Sequence, residues 1–158
     1  MQESLSVNEP KLDPVPALQE RFCVLIVDDS RDVVDSLALA LELDGFCTCR
    51  AYDGETALVS AREIAPKVVI LDLLLPDMDG YELAQALRSD SRCRNTLLIA
   101  YTGDATDAAR ARCAAAGIDL YVLKPVDPQE LLRVITRHKG KAPEHVPDRK
   151  FRSYRTSR

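Results

Sequence analysis

No apolar stretch in this chain approaches the roughly 20 residues that a membrane-spanning helix needs. The first twenty residues have no basic start followed by an apolar segment, so they do not read as a secretory signal peptide. The expected location is the cytoplasm, without membrane insertion. Cysteine is sparse and poorly spaced for metal. Cys23, Cys47, Cys49, Cys93 and Cys113 form no Cys-x-x-Cys pair, and the two histidines, His138 and His145, lie far from them. That spacing argues against zinc. Five scattered thiols fit reduced, small, buried hydrophobes instead. The body of the chain also lacks excess positive charge. Residues 21–138 carry 19 acids against 13 bases, so the body should not bind nucleic acid on charge grounds. Residues 139–158 reverse the balance with seven bases against two acids, which leaves the tail as the one segment suited to an anionic partner.

What is present is an ordinary globular composition. At 158 residues, with 46% apolar and 29% charged residues, the chain can bury one real core. Residues 1–20 contain Pro10, Pro14 and Pro16 with little apolar period and read as a flexible arm. Residues 139–158, with Pro143, Pro147 and many bases, read as a disordered tail. The expected folded domain is 21–138, where strand-like and helix-like patterns alternate five times.

Val33, Val34, Leu37, Ala40 and Leu41 recur at helical spacing after Ser30, and Gly45 stands where a helix ends. A short strand is expected over 46–50. Asp53 is placed to cap the next helix, whose inner face is Ala57, Leu58, Ala61 and Ile64 and which Pro66 stops. A third strand over 67–72 leads into a loop over 73–80, then a helix over 81–88. After the fourth strand, an alanine-rich helix is expected over 105–116. The last helix has Asp127 as cap, Pro128 in its first turn and Glu130 three residues beyond the cap. Short crossovers of this kind force parallel strands, and near-continuous apolar runs fit strands covered on both faces. The fold class is therefore α/β, a doubly wound five-stranded parallel sheet with helices on both faces. An eight-fold barrel would need about 250 residues.

Each strand-like run stops at a chemically useful residue. The first ends at Asp28 and Asp29, the third at Asp72, the fourth at Thr102 and the fifth at Lys124. In an open parallel sheet those ends share one edge, where ligands bind at the switch point. Three carboxylates gathered there repel one another and pay for desolvation, and a hard divalent cation relieves both. Any one of these acids could simply cap the following helix. The whole set is hard to explain as capping. Lys124 can reach across to Asp72, and the Thr102 hydroxyl and the adjacent Gly103 suit a phosphoryl group close to the backbone.

The segments Val27-Asp28-Asp29, Leu71-Asp72-Leu73-Leu74-Leu75-Pro76-Asp77-Met78-Asp79-Gly80, Tyr101-Thr102-Gly103 and Lys124-Pro125 together resemble the receiver domain of two-component response regulators. The resemblance covers about residues 21–138. It implies a flavodoxin-like sheet in the order 2-1-3-4-5. It implies Asp72 as the phosphorylated residue and Mg2+ as cofactor, with Mn2+ able to substitute. Asp29 and Asp72 would bind the metal directly, Asp28 through water, and Leu74 through its backbone carbonyl. Thr102 and Lys124 would hold the phosphoryl group, Tyr121 would be the aromatic switch residue, and the Lys124–Pro125 bond is often cis in the family.

The implied partners are a sensor histidine kinase or histidine phosphotransfer protein as donor and a downstream protein as receiver of the signal. The signal would pass through the face built by the fourth helix, fifth strand and fifth helix, which the family also uses for homodimers. Arg110, Arg112, Arg133 and Arg137 are candidate contacts there. Twenty residues after position 138 are too few for a helix-turn-helix unit, so the expectation is a stand-alone receiver. The alternative is a receiver whose basic tail, with Phe151 and Tyr154 able to stack on bases, binds nucleic acid or an acidic partner. A hydrolase is disfavoured: aspartyl-nucleophile phosphatases place a second Asp two residues after the first, and here that position is Leu74. Leu74 and Asp104 would flank the acceptor and tune its slow loss of phosphate.

Overall fold

The computed structural model describes residues 21–140 and 152–154. The element order is β1 (Cys23–Val27), α1 (Arg31–Leu43), β2 (Cys47–Ala51), α2 (Gly54–Ile64), β3 (Val68–Leu71), α3 (Gly80–Ser89), β4 (Leu97–Thr102), α4 (Asp107–Ala115), β5 (Leu120–Leu123), α5 (Pro128–Lys139) and β6 (Arg152–Tyr154). Strand residues alternate between two cores. Leu25, Val27, Val69 and Leu71 point toward α2, α3 and α4, where Ala57, Ala61, Leu83, Leu87 and Cys113 meet them. Val24, Ile26, Val68 and Ile70 point toward α1 and α5, against Val34, Leu37, Leu41, Leu131 and Ile135. Both faces are covered, which is why these strands carry no polar side.

All strand pairs are parallel, in the order β2-β1-β3-β4-β5-β6. The first five stand in the expected order, and the chain reverses direction across the sheet at β1. The sixth strand was not expected. It pairs Leu120 with Arg152 and Val122 with Tyr154, so part of the segment read as disordered extends the sheet beyond β5. The backbone groups on the outer side of β5 would otherwise form an open edge, and a short returning segment can pair with them whatever its side chains. The expected arm over 1–20 and the rest of the tail lie outside the described residues. Among the described residues no helix is long and apolar enough to cross a membrane.

Helix starts follow their side chains. Asp53 accepts from Thr56 N–H at 2.7 Å, Asp79 from Tyr81 N–H at 2.8 Å, and Asp127 from Gln129 N–H at 2.9 Å. Thr106 caps α4 by accepting from Ala109 N–H at 3.2 Å, so that helix begins two residues later than its alanine run suggested. Gly45 and Gly117 take positive φ just past the ends of α1 and α4.

Candidate functional site

The ladder of backbone hydrogen bonds runs past the strand ends and fixes the residues that follow. Asp28 N–H donates to the Ala51 carbonyl at 3.2 Å and Asp72 N–H to the Val27 carbonyl at 2.9 Å. Lys124 N–H donates to the Thr102 carbonyl at 2.8 Å. The carboxylates of Asp28, Asp29 and Asp72 thus converge, with one oxygen from each lying within 4.8 Å of the others. Asp28 and Asp72 are buried and Asp29 is exposed.

Lys124 crosses the crevice from β5. Its Nζ lies 2.6 Å from Asp28 Oδ2 and 3.2 Å from Asp72 Oδ2. The reach to Asp72 is as expected, but Asp28 is the nearer partner, because its carboxylate is directed across the strand ends while its other oxygen accepts from Ser30 N–H at 2.9 Å. Burial pulls the Lys124 ammonium down, yet the hydrogen bond to Asp28 and the charges of Asp72 and Asp28 more than reverse this, and its pKa is raised. Asp72 is also raised: burial pushes it up, Lys124 pulls it down, and the Asp28 charge pushes it up again. The Lys124 ammonium does not offset the burial of Asp72. That deficit, with oxygen-only donors in a tight group, fits a hard divalent cation.

Thr102 is buried at the end of β4, and its hydroxyl accepts from Asp104 N–H at 3.2 Å. Leu74 exposes its side chain while its N–H donates to Asp72 Oδ1 at 3.3 Å. A shallow groove of about 410 Å³ runs along this side, bordered by Leu74, Met78, Tyr81, Thr102, Asp104 and Arg112. Tyr121 does not enter the crevice. Its ring is buried beneath α4, 5.5 Å from the Arg110 guanidinium. Arg112 turns away from α5: it pairs with Asp79 at 2.9 Å and lies over the Tyr81 ring at 3.9 Å. Arg133 is exposed on α5. The Lys124–Pro125 bond is cis.

Two features escaped the sequence. Gly80 packs so closely that a Cβ there would meet the Asp72 carbonyl oxygen at 2.5 Å and Leu73 Cα at 2.6 Å. Asp77 receives two backbone bonds from α2, Gly54 N–H to Oδ1 at 2.8 Å and Glu55 N–H to Oδ2 at 2.9 Å. Its partners lie more than twenty residues back, so no local pattern announces them. These bonds, Gly54's first, hold the Asp77 carboxyl below its ordinary range.

A doubly wound parallel sheet with an acid cluster at its switch point, faced by a lysine that follows the fifth strand, is the architecture of a receiver-type signalling module. The sequence agrees: the family described as response regulator receiver domain matches residues 24–136, and the chain belongs to that family. It is a receiver domain of the two-component type, a signalling module. Among relatives, the DNA-binding response regulator MtrA of Mycolicibacterium smegmatis is 38% identical over 109 residues, covering 69% of this chain and 46% of MtrA. The chain thus spans about half the length of that relative. Chemotaxis response regulator CheY4 of Vibrio cholerae superposes with a TM-score of 0.70 at 29% identity, covering 75% of this chain and 98% of CheY4. A putative response regulator from Chloroflexus aurantiacus gives 0.71 at 31% identity, covering 77% of this chain and 100% of its own.

Proposed function

We propose that this receiver takes a phosphoryl group onto Asp72 from phosphohistidine on a sensor kinase or phosphotransfer protein in the cytoplasm, and then alters a partner through the α4-β5-α5 face. The observation that carries the reading is a buried carboxylate, Asp72, flanked by Asp28 and Asp29 and touched by the Lys124 ammonium. Asp29 and Asp72 would hold Mg2+ or Mn2+ directly, with Asp28 acting through water and the Leu74 carbonyl as a further oxygen. When bound, the cation supplies positive charge against the acids and the phosphoryl oxygens.

The chain's own groups do the rest. An Asp72 carboxylate oxygen attacks phosphorus; the new P–O bond forms as the P–N bond to imidazole breaks, and the imidazole leaves with that electron pair. Lys124 offers its ammonium to the transferring group, which stabilises charge that water would otherwise have to solvate. The Thr102 hydroxyl accepts from Asp104 N–H and keeps its own O–H to donate to a phosphoryl oxygen. Added charge at Asp72 then draws on Thr102 and Lys124 together, and Tyr121 under α4 is the packed group positioned to respond. Acetyl phosphate should label the wild-type protein only with Mg2+ present, and Asp72→Asn should remove the label. Undiminished labelling of Asp72→Asn would put the acceptor elsewhere.

A further inference from the structure

The segment after Asp72 is exposed at Leu74, Pro76 and Asp77, yet it must hold one backbone carbonyl steady if a cation is to use it. Its two ends are tied. Gly80 N–H donates to the Leu73 carbonyl at 3.0 Å, and Leu74 bridges Asp79 in an isolated antiparallel pair. Its tip is held by something else. Asp77 places one oxygen on Gly54 N–H and the other on Glu55 N–H, the first two amides of α2. The next amide, Thr56 N–H, is taken by Asp53. The start of α2 therefore receives carboxylates from two separate segments, where unpaired N–H groups and the helix dipole favour them. Met78 closes the joint by packing where any side chain at position 54 would stand, so Gly54 lets the loop lie directly on the helix.

We infer that Asp77 is a positioning residue for the cation site: by clamping the tip of the 73–79 loop to the start of α2, it fixes the Leu74 carbonyl beside the three acids. This rests on the reading of Asp28, Asp29 and Asp72 as a cation site. Asp77 touches neither the acids nor any reacting atom, and its contribution passes through the backbone between positions 74 and 77. Groups that orient metal ligands in this indirect way commonly change affinity by about 10–100-fold.

The test is calorimetric titration of Mg2+ into the unphosphorylated chain, comparing wild type, Asp77→Ala, Asp77→Asn and Asp53→Ala. Asp77→Ala should weaken the Mg2+ Kd by about tenfold. Asp77→Asn keeps one acceptor oxygen and should fall between, and it serves if the alanine variant does not fold. Asp53→Ala removes an equal charge and a cap from the same helix end, and it should stay within about twofold of wild type if the loop clamp is what matters. Amide resonances of Gly54 and Glu55 report loss of the clamp directly. Unchanged Mg2+ affinity in Asp77→Ala with those amides shifted would overturn the inference alone, as would an Asp53→Ala loss equal to that of Asp77→Ala. Absence of any saturable Mg2+ binding in wild type would overturn the cation site itself, and the inference with it.

Discussion

At the residue scale, the buried Asp72 carboxylate costs stability while no cation is bound. Burial raises Asp72, and the Asp28 charge adds to that against the pull of Lys124. A carboxyl raised on folding holds its proton more readily in the native state, so its ionisation weakens the fold as pH rises through the native value. Asp72→Asn removes that ionisation, and its amide oxygen can still accept from Leu74 N–H. It should melt higher than wild type at pH 7 without divalent metal, by about 2–4 °C for each kcal/mol relieved. The gap should narrow at acid pH and with Mg2+, and a variant that melts lower than wild type without metal would contradict this.

The thiols give a second prediction at the same scale. Burial, with help from the neighbouring Cys47 thiol, pushes Cys23 from 9.0 to about 12, and burial pushes Cys113 to about 11. Both stay protonated in the native state while unfolded thiols ionise near pH 9.0, so their contribution is whole below that pH and is lost as pH climbs toward 11 and 12. Urea midpoints should therefore fall above pH 9, and less so in Cys113→Ala after its own loss of packing is subtracted. At pH 8, iodoacetamide should modify the half-buried Cys47 and Cys49 before Cys23, Cys93 or Cys113.

At the element scale, the loop joining β3 to α3 is the exacting piece. A Cβ on Gly80 would press on the Asp72 carbonyl and the Leu73 backbone, neither of which is a flexible side-chain end. Gly80→Ala should cost about 1–3 kcal/mol and lower acceptor labelling at fixed acetyl phosphate, since the forced shift falls on the residues flanking Asp72. Wild-type stability in this variant would show that the loop relaxes freely. The elements themselves were legible for a plain reason: β1, β3 and β4 are buried on both faces, so their sequences are unbroken apolar runs. Asp28, Asp72, Thr102 and Lys124 were legible because a parallel sheet brings its carboxyl ends to one edge. Asp77 was not, since its meaning depends on amides 22 and 23 residues away. The sixth strand was not, since the three residues Arg152, Ser153 and Tyr154 carry no apolar run or alternation in sequence. The closeness of Lys124 to Asp28 was not, because strand ends give position along the edge but not side-chain direction.

At the scale of the whole molecule, Arg88 ties several segments together at the end opposite the acid cluster. Arg88, near the end of α3, donates from Nε to the Gly117 carbonyl at 2.8 Å and from Nη1 to the Thr96 carbonyl at 2.6 Å. Its Nη2 meets Asp119 Oδ2 at 2.6 Å, and the same oxygen accepts from Leu98 N–H at 2.9 Å. One side chain thus joins the end of α3, the turn before β4, the turn after α4 and the approach to β5. The guanidinium and carboxylate are only 16% and 15% exposed, so water cannot readily replace the pair. Arg88→Met keeps most of the apolar stem and removes the charge. It should cost about 3–5 kcal/mol, because the Asp119 carboxylate loses its cation and the Gly117, Thr96 and Arg94 carbonyls each lose a donor. Adding Asp119→Asn should recover part of the loss, since the stranded charge goes with it. Urea unfolding read as a shift in midpoint at constant slope measures both. A loss below about 1 kcal/mol would mean the network behaves as an exposed ion pair. The acid cluster sits at the other end of the same strands, so Mg2+ affinity in Arg88→Met should stay near that of wild type wherever the fold persists, which separates what holds the sheet together from what the sheet presents.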